Sequence, residues 1–187
     1  NVVPGDVVNV STYKKRKSYY QAKPTHFVNY SSKRTPAVCE HFGVCGGCKW
    51  QNMAYEHQLF YKEKEVLENL KRIGKVTSTE TKPILGSKDI YFYRNKMEFS
   101  FSNSRWLTET EINSGVDIED KNALGFHIPG MWDKILNIEK CHLQPDPSNA
   151  IRNKIREFAT ANNIKFFIPR HQIGLLRTLM IRTSSTG

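Results

Sequence analysis

The residues with the clearest chemical potential are the four cysteines of this 187-residue chain. Cys39, Cys45 and Cys48 lie in one short segment, and Cys141 follows far along the chain. A loop that supplies three thiolates, closed by a distant fourth cysteine, is typical of iron–sulfur proteins. Gly46 and Gly47 have no Cβ, so they allow backbone N–H groups to approach the sulfur atoms. The spacing therefore predicts an iron–sulfur site.

Three other interpretations of the cysteines stay open on spacing alone. Structural zinc commonly uses two C-x2-C pairs, and the second pair is missing, although Cys141 and His142 could contribute ligands. A thioredoxin-like redox pair would follow a βαβ pattern, which residues 36–38 do not provide. The simplest alternative is four unrelated buried thiols. We favour the iron–sulfur interpretation because the three clustered cysteines and one distant cysteine fit it best.

The positive charge of the chain is concentrated near its start. The sequence has 28 Lys and Arg against 18 Asp and Glu, a net charge of +10, and seven of these bases precede residue 39. Lys14, Lys15, Arg16 and Lys17 stand together just before Tyr19 and Tyr20. Cations can neutralise phosphates while aromatic rings stack on bases. The segment therefore predicts a nucleic-acid contact, and a solvated turn is the alternative.

Hydrophobic periodicity predicts the elements that position these residues. We expect two helices, at 54–73 with Gly74 as C-cap and from Asp146-Pro147 onward with Ile151, Ile155, Phe158 and Ala159 buried. We expect strands at 7–10, 19–30, 91–102, 123–128, 131–138, 164–168 and 173–183, with an exposed loop at 108–122. The predicted fold class is α+β: a mixed α/β domain with a mixed or antiparallel sheet and an iron–sulfur loop, preceded by part of a small OB-like β-barrel.

The composition excludes a membrane protein and favours a cytoplasmic one. No stretch approaches the roughly 18 apolar residues that a membrane span needs. The start lacks the charged head and apolar run of a signal peptide, so disulfides are not expected. The chain has no initiator Met and ends directly after a strand-like run. We therefore expect that both ends are cuts in a longer protein.

Several segments together resemble a known family. The segment Cys39-Glu40-His41-Phe42-Gly43-Val44-Cys45-Gly46-Gly47-Cys48 is similar to the cluster loop of iron–sulfur RNA (uracil-5-)-methyltransferases, and most similar to the 23S rRNA branch. Further similar segments are residues 93–99, 124–127, 138–141 and 174–177. Residues 4–8 and the basic segment resemble the later strands of a TRAM barrel, a small RNA-binding domain.

The resemblance implies a three-part protein of which this chain is the front portion. It places the C-terminal part of a TRAM-like barrel at 1–31, a linker at 32–38 and the central iron–sulfur domain at 39–187. A C-terminal S-adenosylmethionine-binding Rossmann domain would be absent from the chain. The cofactors implied are a [4Fe-4S] cluster on Cys39, Cys45, Cys48 and Cys141, and S-adenosylmethionine on the missing domain.

The family methylates C5 of a uracil in RNA after a cysteine adds to C6. The nucleophile, the base and the cofactor loop belong to the missing domain, so we expect no catalytic or cofactor-binding residue here and an inactive isolated chain. The implied partner is RNA, 23S rRNA above all, and the implied state is a monomer. A tRNA enzyme of the same family and a non-catalytic RNA-binding module with a structural metal are the alternatives.

The polar face of the strand at 91–102 is a second candidate RNA contact. Arg94 and Lys96 lie on that face, where the resemblance places a substrate-facing surface, and a plain solvent-exposed sheet face is the alternative. We expect His41, His127 and His142 to be surface or hydrogen-bonding residues rather than metal ligands.

Overall fold

The chain was analysed as a computed structural model that describes residues 1–77 and 80–184. Its contacts divide it into two compact units. The first comprises Asn1–Ala37 and Lys49–Lys88, and the second comprises Val38–Cys48 and Asp89–Gly187. The predicted domain boundary at 32–38 stays a prediction; the contacts group residues 49–88 with the first unit and the cysteine loop with the second. In the described residues, no helix has the length and apolar character that crossing a membrane requires.

The first unit contains an antiparallel ribbon of two strands, β1 (Val7–Lys15) and β2 (Tyr20–Asn29). Three register irregularities bend it. The predicted strand at 7–10 is longer than expected, so Lys14 and Lys15 lie within β1 and only Arg16 and Lys17 lie in the turn. Most positions of both strands are exposed, including Val7, Val10 and Val28. Across the residues that the structure describes, the ribbon is not closed into a barrel.

A buried ion pair anchors the base of this ribbon. The carboxylate of Asp6 is fully buried and accepts hydrogen bonds from Nε and Nη2 of Arg34, at 2.8 and 2.6 Å. It also accepts from the backbone N–H groups of Val3 and Ser31, at 2.6 and 2.9 Å. The hydrogen bonds from Arg34, aided by the two N–H donors, hold the pKa of Asp6 well below its usual range. Asp6 therefore joins the chain start to the segment that follows β2.

We expect Asp6→Asn to lower the free energy of unfolding by about 3 kcal/mol, because it leaves the Arg34 guanidinium without its charged partner. The low folded-state pKa stabilises the protein at pH values above the unfolded pKa of about 4, and this contribution is lost as the pH falls below it. Urea unfolding between pH 7 and pH 3 measures both effects. The variant should show a flatter pH dependence than the wild type.

The control for this prediction is Asp117→Asn, which removes an exposed carboxylate. Exposed substitutions of this kind change stability by less than about 0.5 kcal/mol. Equal stability of Asp6→Asn and the control at pH 7 would contradict the anchoring role of the buried pair.

The predicted first helix is present as α1 (Tyr55–Arg72). The predicted C-cap is shifted by one residue: Ile73 is the C-cap, and the N–H of Gly74, which follows it, bonds to the carbonyl of Asn69 at 3.1 Å. The apolar residues of the helix follow the predicted period, but none of residues 55–72, all described, is buried. Periodicity identifies an apolar face but not what covers it. The N–H of Ile84 donates to Oε1 of Glu63, and the N–H of Ser87 donates to the hydroxyl of Tyr55. These two hydrogen bonds hold the segment at 84–87 beside the first half of the helix.

The second unit is built on a four-stranded antiparallel sheet. Its strands are β3 (Lys96–Ser102), β4 (Ala123–Ile128), β5 (Met131–Asn137) and β6 (Thr178–Arg182), in the order β5-β4-β3-β6. The antiparallel alternative of the predicted fold class is confirmed, as is the β4–β5 hairpin. The core lies on one face and includes Met97, Phe99 and Phe101 of β3. This alternation was predicted, because side chains two apart share a sheet face.

Two predicted boundaries of this sheet are wrong. Residues 91–95 are not part of β3: Phe92 has a positive φ of 56°, and the N–H groups of Phe92 and Arg94 bond to the carbonyls of His142 and Leu143. The strands expected at 164–168 and 173–177 are reduced to isolated bridges. The predicted loop at 108–122 contains a short helix, α2 (Glu109–Asn113), that begins with a capping box from Thr108 and Glu111. Hydrogen bonds to the segment at 142–143 set the start of β3, and the capping box within its own segment sets the start of α2.

The second long helix, α3 (Ser148–Ala161), packs on the core face of the sheet. Its start differs from the prediction, since Pro147 is the N-cap residue, although the Asp146 carboxylate still accepts from the N–H of Asn149 at 3.2 Å. The predicted buried face is wrong at Ile151 and Phe158, which are 40% and 60% exposed. The prediction is confirmed for Ala159, which is buried, and Ile155 packs against the core cluster. The other buried residues of the helix are Ser148, Asn149 and Arg152, so polar groups share the inner face with apolar ones.

Candidate metal centre

The cysteine loop of residues 39–48 folds as two successive tight turns. The N–H of Phe42 bonds to the carbonyl of Cys39 at 3.0 Å, and the N–H of Cys45 bonds to the carbonyl of His41 at 2.9 Å. Gly43 has a φ of +92°, a conformation that favours glycine. The N–H of Gly47 points at Sγ of Cys45, 3.3 Å away. Such N–H to sulfur bonds stabilise thiolates, as the glycine pair predicted.

Gly46 allows the loop to approach the sheet closely. A Cβ at this position would lie 2.6 Å from the carbonyl oxygen of His127 in β4, which is closer than atoms can pack. Gly47 is less constrained, because a Cβ there would lie 3.4 Å from Sγ of Cys45. The requirement for glycine at position 46 is therefore backbone proximity.

His41 joins the loop to the segment that carries Cys141. Its Nε2 accepts a hydrogen bond from the N–H of Glu139 at 3.3 Å. Burial lowers the pKa of His41, which keeps the ring neutral and its Nε2 free to accept. The prediction that His41 forms hydrogen bonds is confirmed. The ring of His142 lies edge-on to Tyr91 and tilted against Phe92, and Nε2 of His127 lies 3.4 Å from Oγ of Ser100.

Cys141 is held by the side chain of Asn149. The N–H of Cys141 donates to Oδ1 of Asn149 at 2.8 Å, and Nδ2 of Asn149 donates to the carbonyl of Cys141 at 3.2 Å. These two bonds fix the backbone on both sides of the cysteine side chain. Cys141 itself is 8% exposed and belongs to the core cluster, against which Cys45 and Cys48 also pack.

The four cysteines, all within the described part of the chain, are not in disulfides. Burial raises the pKa of Cys45 to about 11, and it also raises the pKa values of Cys39 and Cys141. The charges of the other cysteines raise the pKa values of Cys39 and Cys45 further. Thiols with such pKa values are poor nucleophiles. A metal would have to displace their protons, so binding would strengthen with pH.

No group of three or more Cys, His, Asp or Glu in residues 1–77 and 80–184 has the arrangement of a site for one metal ion. A cluster sets a different requirement, because each of its four thiolates binds a different iron atom. The donor set fits that requirement in kind: four thiols outside disulfides, a backbone N–H directed at one sulfur, and cysteine segments held by hydrogen bonds of His41 and Asn149.

Arg152 places an unusual charge beside this group. Its side chain is 1% exposed, and its guanidinium lies 5.0 Å from the ring of Phe99. Its donors bond to the carbonyls of Ile138 and Glu139, at 2.9 and 2.6 Å, and to Oδ1 of Asn149 at 3.0 Å.

Among the described residues, no carboxylate lies within ion-pair distance of Arg152. Its charge, followed by that of Arg94, favours the thiolate form of Cys141 and so acts to lower its pKa. A buried cation without a carboxylate partner is destabilising unless another anion lies nearby.

The predicted RNA contacts fall in two different units. Lys14, Lys15, Arg16 and Lys17 are exposed at the tip of the β1–β2 ribbon, beside exposed tyrosines. Nζ of Lys15 lies 5.7 Å from the ring centre of Tyr20, and Nζ of Lys23 lies 5.7 Å from that of Tyr13. In the second unit, Lys96 is paired with Glu98 at 3.1 Å. Arg94 lies near Cys141 rather than within β3.

Asn149 and Arg152 are the residues of this centre that sequence reasoning missed. They stand three apart on α3, and with Ser148, Ile155 and Ala159 they follow a helical period. Polar residues that share a helical face with apolar ones were the available signal. The apolar face through Ile151 and Phe158 has the same helical period, so periodicity alone did not distinguish the two faces.

Comparison with curated proteins relates the chain to RNA methyltransferases. No family model matches it. It is 52% identical to a protein of Bacteroides thetaiotaomicron named an uncharacterized RNA methyltransferase, over 100% of this chain and 41% of that protein. Proteins of the same name from Porphyromonas gingivalis and Chlorobaculum tepidum are 47% and 40% identical over 98% of the chain. The chain thus spans about two fifths of the length of these relatives.

The fold is similar to that of a solved structure, the tRNA (uracil-54, C5)-methyltransferase of Pyrococcus abyssi in complex with S-adenosyl-L-homocysteine. The TM-score is 0.68 and the identity 21%, over 99% of this chain and 37% of the archaeal chain. The similarity at this identity shows that the two units described above have the fold of part of that enzyme.

Proposed function

We propose that the chain is the RNA-binding and [4Fe-4S]-binding portion of an S-adenosylmethionine-dependent RNA uracil-C5 methyltransferase. The observation that carries the proposal is a set of four cysteines outside disulfides, three of them at one core cluster, in a fold shared with a uracil-C5 methyltransferase. The names of the relatives support the methyltransferase class. As in the sequence analysis, we propose 23S rRNA as substrate, a monomeric state and a cytoplasmic location.

In this proposal Cys39, Cys45, Cys48 and Cys141 hold the cluster. When bound, the cluster would connect the loop covalently to the Cys141 segment. We infer a structural role for it because uracil methylation requires no electron transfer. The protein residues around it act structurally: His41 and Asn149 orient the ligand segments, and Arg152 balances the negative charge of the thiolates. The raised pKa values of Cys39, Cys45 and Cys141 support the view that these three thiols do not attack uracil.

We also propose that the isolated chain is catalytically inactive and that S-adenosylmethionine binds to residues outside it. The relatives are longer than this chain, which leaves room for a cofactor domain in a full-length protein. The exposed valines of the β1–β2 ribbon support a TRAM-like barrel whose other strands would cover them.

The test of the cluster is anaerobic reconstitution of the chain with iron and sulfide. We expect visible charge-transfer absorption and about four irons and four acid-labile sulfides per chain. A colourless protein that retains zinc under the same oxygen-free conditions would favour the structural-zinc alternative. Methylation of RNA by the isolated chain would overturn its proposed inactivity.

The substrate is tested with the full-length protein. Ribosomal RNA and tRNA from a strain that lacks the gene are the two substrates, and 5-methyluridine is mapped in each. The fold shared with a tRNA enzyme favours tRNA as the second candidate. Methylation of tRNA alone would replace the 23S rRNA proposal with that candidate.

Replacing Lys14, Lys15, Arg16 and Lys17 together by Gln should weaken RNA binding. Each lost phosphate contact with a single strand is expected to reduce the slope of log K against log salt by about 0.7. Filter binding of a single-stranded RNA at several salt concentrations measures this slope. The matched control replaces Lys64, Lys71, Lys82 and Lys88 by Gln, which removes the same charge from exposed positions of the same unit. An equal loss of RNA affinity in both variants would mean that binding depends only on net charge and not on the ribbon tip.

A further inference from the structure

A cleft in the second unit is not used by the metal centre. Its volume is about 350 Å³. Ser100 and Ser102 of β3 line it and alternate with Phe99, so they face away from the side of the sheet that carries α3. Ile135 of β5 completes the floor and is buried. Apart from Phe101, none of the lining residues belongs to the core cluster, so most of the cleft lies away from the buried core.

One wall of the cleft is an exposed aromatic side chain. Trp132 lies at the start of β5, just after the Pro129–Gly130 turn, and is 64% exposed. A large indole exposed at the edge of a concave surface costs free energy unless a ligand covers it. An exposed indole that lines a cleft offers a flat surface on which a base could stack.

The opposite wall carries a cation on a second aromatic ring. The guanidinium of Arg177 lies 4.8 Å from the ring centre of the half-buried Phe167. No carboxylate of the described residues is within ion-pair distance of Arg177, and the residues that line the cleft include no Asp or Glu. The wall thus presents a planar cation that can bind phosphate or stack on a base.

Polar side chains supply hydrogen bonds at the rim. His127, whose Nε2 is 3.4 Å from Oγ of Ser100, and the exposed side chains of Gln172 and Thr178 line the opening. Together they provide both donors and acceptors for the edge of a heterocycle. Stacking rings, a free arginine and polar groups of both kinds are the elements with which proteins bind unpaired nucleotides.

We propose that this cleft binds one unpaired nucleotide of RNA, with the base stacked on Trp132 and the adjacent phosphate on Arg177. The inference rests on the proposed RNA-binding function and adds a second contact point in the other unit. The positive charge of Arg177 disfavours S-adenosylmethionine, whose sulfonium is also cationic.

The test follows the three tryptophan indole N–H signals of the ¹⁵N-labelled chain by NMR, assigned with Trp50→Phe, Trp106→Phe and Trp132→Phe. The ligands are a single-stranded RNA octamer, its duplex, and S-adenosylmethionine. We expect the octamer to shift the Trp132 signal and to leave that of half-buried Trp106 unchanged. The duplex should shift it less, because its bases are already stacked. A shift of Trp132 by S-adenosylmethionine instead would overturn the nucleotide assignment.

Affinity for the octamer provides the second measurement. Trp132→Leu and Arg177→Gln should each weaken binding about tenfold, whereas Trp50→Leu, at a similarly exposed tryptophan, should change it less than twofold. The cleft assignment fails, and RNA binding stands, if the octamer binds Trp132→Leu with wild-type affinity and does not shift the Trp132 signal of the wild-type chain. If the octamer does not bind at all, both fail.

Discussion

Replacing Cys141 by serine is expected to remove most of the iron from the reconstituted chain and to lower its stability by about 4 kcal/mol. The cluster would connect the loop at 39–48 to a residue roughly 90 positions further on. In the chain-entropy model, closing a loop of about 100 residues stabilises the folded state by about 4 to 5 kcal/mol. Serine is nearly the same size as cysteine, so little of the loss can come from packing. Iron content and chemical unfolding under anaerobic conditions measure the two effects.

The control for Cys141→Ser is Leu143→Ala. Leu143 is also 8% exposed and belongs to the same core cluster. Its truncation should cost about 2 to 3 kcal/mol through the cavity that it leaves, with no loss of iron. A Cys141→Ser variant that keeps both its iron and its melting temperature would exclude the proposed connection. Destabilisation without loss of iron would show that Cys141 acts only by packing.

Replacing Arg152 by methionine is expected to destabilise the chain by about 2 kcal/mol or more. The substitution keeps an apolar stem against Phe99 but leaves the carbonyl of Ile138 without the guanidinium donor, whereas the carbonyl of Glu139 keeps its hydrogen bond from Nδ2 of Asn153. Each buried acceptor that loses its partner costs about 1 to 3 kcal/mol. Unfolding of the chain without iron measures this structural part, which does not depend on a cluster.

The electrostatic part of the Arg152 prediction needs the reconstituted protein. Loss of a buried positive charge near Cys141 should disfavour the more negative reduced cluster, so the reduction potential should fall. Arg152→Lys keeps the charge and should keep the potential closer to the wild type, although its single ammonium cannot replace the guanidinium fork. Equal potentials in the wild type and Arg152→Met would leave Arg152 with a hydrogen-bonding role only.

The sequence predicted the chemistry of the centre better than its surroundings. Four thiols in a three-plus-one spacing, with a glycine pair between two of them, indicated a cluster loop. The structure brings the four cysteines together and directs the N–H of Gly47 at Cys45. Residues close in sequence can be read this way because short loops have few conformations. The presence of a cluster itself remains a proposal.

Long-range partners were beyond this kind of reasoning. The hydrogen bond from Glu139 to His41 joins residues 98 positions apart, and Asn149 reaches Cys141 from a different element. The burial of Arg152 and the placement of Arg94 near Cys141 depend on how α3 and residues 91–95 pack. Periodicity and spacing within a short segment do not show which distant segments contact each other in the fold.

By itself the sequence determined the spacing of the clustered cysteines, the basic ribbon tip, the antiparallel hairpin and the two long helices, because each depends on spacing or periodicity within a short segment. Only the tertiary structure decided which face of α3 is buried, where β3 begins, and what surrounds the thiols. The physical reason is that burial and electrostatics depend on distances between segments, and these are set when the whole chain packs. The charge balance around Cys141 and the cleft beside Trp132 exist only at that level.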